Sequence, residues 1–392
     1  MPAWHRRRVR PTARVNIGLA GFLIASLAGC GGSPATSTPP KGSVVATAKT
    51  APSPVAPTAS PVLSPAPQIG WRAISTPSDL GSAQLRDLAP FQGSLVAVGA
   101  TDDALGVIWS TTDGQAWMSS AGPTTLDGML LAAVAVGDPG IVVVGWSETD
   151  AIALFSPDGI SWSRQQVPGS HPGSSIVAVA WQRGRFVAVG GGGEPGAAVS
   201  WMSTDGRVWT RVSIIEEGNQ ESLNGVAAGP DGFVVDGTHR GRAAVWTSSD
   251  GNAWKRTDLP GSTADDPGRL RYAGGHFFLP VTGGDLFTST DGQLWLRTTV
   301  PGFGVGVFDV ASIPGGFIAV GRSSEGSQPG VVATSDGDLT RWTLQPADPV
   351  FDGALAVGAL AWPDGAQLVG IGNSLSGESV FLLADPAALV NP

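Results

Sequence analysis

Cysteine, tyrosine and histidine are scarce in this chain of 392 residues, which holds one Cys, one Tyr and four His. Cys30 has no partner for an intramolecular disulfide. The histidines stand at 5, 171, 239 and 276, with no ligand spacing and no cysteine to join them, which argues against a zinc site. Basic residues are outnumbered 23 to 32, and the net charge of −9 argues against a nucleic-acid partner. The apolar run at 15–28 falls short of the roughly 20 residues that span a bilayer. No GxSxG elbow and no Ser-His-Asp order can be read, and the glycines at 190–193 fall in a predicted strand connection rather than a phosphate-cradling turn before a helix. No DxDxDG-like spacing marks a calcium loop, so no metal or other cofactor is expected, save calcium held weakly by acidic loops.

The chain is rich instead in a repeated turn spelled [ST]xDGxxW. The copies are TTDGQAW at 111–117, SPDGISW at 156–162, STDGRVW at 203–209, SSDGNAW at 248–254 and STDGQLW at 289–295, with a sixth, TSDGDLTRW at 334–342, two residues longer. Asp113, Asp158, Asp205, Asp250, Asp291 and Asp336 therefore recur every 41 to 47 residues, the length of a four-stranded propeller blade. Asp-Gly between two apolar runs is a hairpin signal, because Gly accepts a positive φ and the carboxylate takes up nearby backbone N–H groups. Trp117, Trp162, Trp209, Trp254, Trp295 and Trp342 each bring a large flat surface to the next strand, and are expected to wedge neighbouring blades together.

Each turn is preceded by a second-strand run: SLVAVG, GIVVVG, RFVAVG, GFVVDG, HFFLPV, GFIAVG and, last, AQLVGIG, whose own turn has decayed to LLADP at 382–386. The missing outer strand reappears at the other end as Trp71-Arg72, matching the fourth strands at Trp162, Trp209 and Trp254. The reading is an all-β, seven-bladed propeller of four-stranded antiparallel blades over 69–392, closed by the strand at 71–75 so that no edge is left unpaired. Six or eight blades would require 85–117 or 354–385 to be something else, and a sandwich or β-helix needs no Trp-marked hairpin at this period.

The turn resembles the Asp-box (BNR) repeat of the sialidase-like propellers, although Asp and Gly are adjacent here where that motif separates them by one residue. The resemblance covers about 315 residues, 71–385. It implies that the six Asp are structural and lie on the face opposite an active site. Sialidases need an arginine triad, a Tyr nucleophile activated by Glu, and an acidic Asp. The sole Tyr272 falls just before the turn at Gly274-Gly275, the family's Arg-Ile-Pro signature is absent, and Arg164, Arg211, Arg256 and Arg297 recur two residues after a blade Trp, as if stacking on or flanking it.

At the N-terminus, Arg6, Arg7, Arg8, Arg10 and Arg14 precede the apolar run, which ends Leu27-Ala28-Gly29-Cys30. Charge, apolar core and small residues make a secretory signal over 1–29. Leu-Ala-Gly-Cys resembles a bacterial lipobox, which implies a lipidated Cys30 as first mature residue at the outer face of the cytoplasmic membrane. Removing the five Arg takes the net charge from −9 to −14. Residues 31–68 hold nine Pro among Ser, Thr, Ala and Gly, with no aromatic or acid, the composition of a disordered stalk that could reach on the order of 100 Å in polyproline form.

Two surfaces are candidates for function. Loops between strands two and three and between blades carry Asp102, Asp103, Glu148, Asp150, Glu194, Glu216, Glu217, Glu221, Asp265, Asp266, Asp285, Glu325, Asp348, Asp352 and Glu378, an acidic face. Arg86, Asp87, Arg269, Arg271 and Asp309 fall in innermost strands where other blades offer Ala, Val and Gly, and form either an ion-pair plug or an anion-binding spot in the central channel. The expected function is that of a lipid-anchored, monomeric, noncatalytic module holding a protein or glycan on a propeller face. A carbohydrate-active enzyme or lectin on the same fold is the alternative. A third option is an assembly factor resembling the Asp-box propellers that help build photosynthetic membrane complexes.

Overall fold

The computed structural model describes residues 69–74, 81–120, 126–193, 198–212, 221–259, 268–324, 330–351, 356–361, 368–373 and 379–384. The signal segment, Cys30, the stalk and the end of the decayed turn lie outside the described residues. The described strands form seven four-stranded antiparallel sheets. Blades 1 to 6 span 84–119, 129–165, 174–212, 221–258, 271–299 and 306–344 in simple up-and-down order. Blade 7 takes three strands from 356–384 and its fourth from the N-terminal side: Trp71 pairs with Ala384, Arg72 with Leu383 and Ala73 with Leu382. The ring is closed as the displaced Trp71 predicted.

The Asp-Gly turns have one geometry in blades 1 to 5. The Asp Oδ1 accepts from the two N–H groups that follow the Gly, as from Arg207 and Val208 onto Asp205 at 2.8 Å each. A Ser or Thr two residues earlier adds its hydroxyl, at 3.0 Å for Ser203. Gly206 has φ +72°, and a methyl there would press on Phe155 of the preceding blade at 2.6 Å, so both the turn and the packing demand glycine. The longer sixth copy differs: Asp336 Oδ1 accepts from Thr340 N at 2.9 Å, and Leu339 takes the positive φ, +56°. The turn carboxylates of Asp158 and Asp250 are held down to about 2 by these donors, first Ser161 and Ile160 for the one and Asn252 and Ala253 for the other.

Seven hydrophobic clusters fill the seven joints between neighbouring blades. Each blade's Trp packs backward into the joint it shares with the preceding blade. Trp117 lies flat on Phe381 of blade 7, with centroids 3.8 Å apart and planes at 7°, while Trp209 is buried with Phe155 and Val142 of blade 2. Trp71 occupies the same role in the joint between blades 6 and 7, tilted against Phe351 at 5.9 Å. A large apolar side chain removed from water at every joint is what a blade lacks by itself.

Register then positions the channel lining. In six blades the innermost strand carries a one-residue bulge. The residues just past it make a first ring of Asp87, Ala133, Ala178, Gly225 and Asp309, with Ala359 at the equivalent backbone register in blade 7 and Arg269 of blade 5 two residues before its first paired position. Two residues further on is a second ring of Ala89, Ala135, Ala180, Ala227 and Ala311, into which, among the described side chains, only blade 5 places a long one, Arg271.

Candidate functional site at the channel axis

Because the second ring is otherwise alanine, Arg271 has the space to cross the channel. Its Nε donates to Asp309 Oδ1 at 2.7 Å and its Nη2 to Asp309 Oδ2 at 2.9 Å, a bidentate pair with the adjacent blade. The same Nη2 reaches Asp87 Oδ1 of blade 1 at 3.4 Å. Arg269 pairs with Asp87 from above and donates to the carbonyl of Arg86 at 2.7 Å. Asp87 also accepts from Leu88 N at 2.8 Å and, through Oδ2, from Val134 N of blade 2 at 3.0 Å. Asp309 repeats the first of these with Val310 N at 2.9 Å.

Both carboxylates are buried and both arginines are half-buried. Desolvation pulls the Arg271 pKa down, but Asp309 and Asp87 outweigh it and hold the guanidinium firmly charged. For Arg269 desolvation prevails, aided by repulsion from Arg271, and its pKa is lowered. The quartet ties blades 1, 2, 5 and 6 together across the axis. Of the five residues singled out here, four meet, whereas Arg86 contributes only its carbonyl: its guanidinium lies over Trp146 of blade 2, 5.4 Å from the ring centroid.

Below Arg271, toward the face that bears the Asp-Gly turns, the channel widens into a cavity of about 520 Å³. Its walls include Leu88, Val134, Val136, Ala273, Val310 and Ala311, with Arg271 at the inner end. Tyr272 lines the same cavity, but its ring is packed against Phe277 at 4.7 Å and no Glu stands among the lining residues. The Tyr and Glu pair that a sialidase nucleophile requires is not assembled there.

Several of the described upper-loop acids are partnered. Glu194, Glu216, Glu217, Asp265, Asp266, Glu325, Asp352 and Glu378 lie outside the described residues. Of the rest, Asp150 binds Arg164 at 2.6 Å, Asp285 binds Arg297 at 2.5 Å, and Asp348 accepts from Trp71 N at 3.0 Å. Arg164 and Arg297 are therefore outer-strand partners for acids at the loop ends rather than caps on the blade Trp; Arg297 lies over Phe287, not a Trp. Arg256 likewise turns away, to Asp258 at 3.1 Å and to His239 Nε2 at 2.9 Å. The same Arg256 Nη1 stands 3.2 Å from His239 Nδ1, which in turn lies 2.5 Å from Oε1 of buried Glu221. Composition gave no hint of this chain, since it joins residues from three strands of blade 4. Among the described residues no three metal-ligating side chains converge.

No family model matches the chain, and no curated protein matches it. Solved structures do. The chain is similar to YCF48 from Cyanidioschyzon merolae, with a TM-score of 0.57 and 17% identity over 81% of this chain and 99% of that one. A structure described as YCF48 bound to D1 peptide gives 0.58 and 17% over 81% and 95%. The Dos1 propeller gives 0.51 and 11% over 77% and 78%. At these identities the likeness establishes a propeller fold.

Proposed function

We propose that this chain is an extracytoplasmic lipoprotein whose propeller is a noncatalytic module holding a peptide segment of a protein partner. The observation that carries the noncatalytic part is the saturation of the axis. Asp87 and Asp309 are each occupied by arginine and by a backbone N–H, so neither is available as a general acid or base. The partner class is supported by the similar propeller solved with a peptide bound. The cavity below Arg271, with aliphatic walls and polar groups beside them, could receive side chains of such a segment.

Membership of the Asp-box group belongs to this proposal, on the strength of the repeated turn, as does lipid anchoring through Cys30, on the strength of Leu27-Ala28-Gly29-Cys30. The test is capture from solubilised membranes by the wild-type propeller and by Ala311→Trp, which fills the cavity. A partner retained equally by both would remove the cavity from the reading, and turnover of fluorogenic glycosides would remove the noncatalytic part. Cys30→Ser should abolish lipid labelling, and unchanged labelling would sink the anchor.

A further inference from the structure

On the second strand of the blades, the residue opposite the first channel ring is Val98, Val144, Val189, Val320 or Ile371. Blade 4 puts Asp236 there, opposite Gly225. Asp236 is fully buried, and neither carboxyl oxygen has a hydrogen-bond partner. Buried polar groups are paired in the great majority of cases, and an orphaned one calls for a role.

The pairing with glycine is specific. A methyl on Gly225 would overlap Asp236 Oδ1 and stand 3.3 Å from Leu270 of blade 5. The missing side chain thus lets a carboxyl borne by the second strand enter the space where the first ring of blades 1 and 6 places Asp87 and Asp309. It sits in the joint between blades 4 and 5, whose apolar lining includes Val234, Ala243, Val245, Leu270 and Leu279.

Among the described residues the charged groups around it are few. On its own blade, Glu221 heads the innermost strand and is held by His239. On blade 5, Leu270 is bracketed by Arg269 and Arg271, whose guanidiniums are turned to Asp87 and Asp309. The second strand of blade 5 and the third strand of blade 4 face the joint with Leu279, Ala243 and Val245. Desolvation without a compensating donor beyond its own backbone pushes the Asp236 pKa up to about 8.

We propose that Asp236 is a proton-held latch of the blade 4/5 joint. Neutral, it fills the place that valine fills elsewhere. Ionised, it leaves a carboxylate without a donor in an apolar joint and loosens the packing of blade 4 against blade 5. The sign follows from linkage: the folded chain keeps a proton that the unfolded chain has released, so this contribution is whole below the ordinary Asp pKa and is lost as pH rises through about 8.

The test compares the pH dependence of unfolding in wild type, Asp236→Asn and Asp236→Val from pH 5 to about 9.5. The wild-type unfolding constant should rise about tenfold per pH unit beyond that of either variant, and run parallel to them above pH 8. The Asp236 carboxyl carbon should titrate near pH 8 by NMR. Equal slopes in wild type and Asp236→Asn, or titration of Asp236 in the ordinary Asp range, would overturn the latch. Asp236→Asn retains the shape, so it reports even if Asp236→Val fails to fold.

Discussion

The outer turns and the channel axis are built on opposite plans. Each Asp-Gly turn closes its hydrogen bonds within a few residues and repeats almost unchanged from blade to blade. The axis breaks the repeat: five blades give the second ring a described alanine, one gives Arg271, and that arginine joins residues 38 and 184 positions away. Repetition therefore marks what every blade needs to fold, and departures from it mark what only this propeller has. Asp236 is the same lesson away from the axis, a single acid in a column of aliphatic residues.

The largest effect should come from breaking the ring itself. Deleting residues 69–74 removes Trp71 from its joint and uncovers the edge of 379–384, so the melting temperature should fall sharply, whereas deleting 31–60 should leave it nearly unchanged. Equal melting temperatures would mean that the N-terminal strand is dispensable. Next in size is Trp209→Ala, a large-to-small change in a filled joint expected to cost about 3 to 5 kcal/mol in denaturant unfolding.

Asp309→Ala tests the axis against that scale. It strips half-buried Arg271 of its bidentate, buried partner, and the expected cost is about 3 to 5 kcal/mol. A cost below that of an outer-turn variant would reverse the comparison, making the axis decoration and the rim the framework. Asp205→Ala should cost only about 1 kcal/mol, because its acceptor bonds are at an exposed turn where water can replace it.

The smallest effect is a pH dependence of the opposite sign to that of Asp236. Asp158 and Asp250 have pKa values near 2, so what they contribute is present above the ordinary Asp range and is lost as pH falls toward 2. Thermal unfolding of Asp158→Asn should show a shallower loss between pH 4 and 2 than wild type. If the two curves superimpose, the turn carboxylate is not set by its backbone donors.

Much of this architecture is legible along the chain because a blade is a local object. The period of the Asp residues, the Val-rich second strands and the Trp71 displaced to the front determine seven blades and the closing strand, since hairpins and their turns are satisfied by near neighbours. Even Asp236 could have been noticed as GFVVDG among runs such as GIVVVG. What only the tertiary structure decided is which charges meet. Arg86, Asp87, Arg269, Arg271 and Asp309 share an unusual column in the sequence, yet Arg86 turns to Trp146 while the other four close on one another. Arg164 and Arg297 follow Trp in sequence but find acids across their own blades. The reason is physical: apolar periodicity is imposed by each strand on itself, whereas a long cationic side chain goes to whichever carboxylate the closed ring brings within reach.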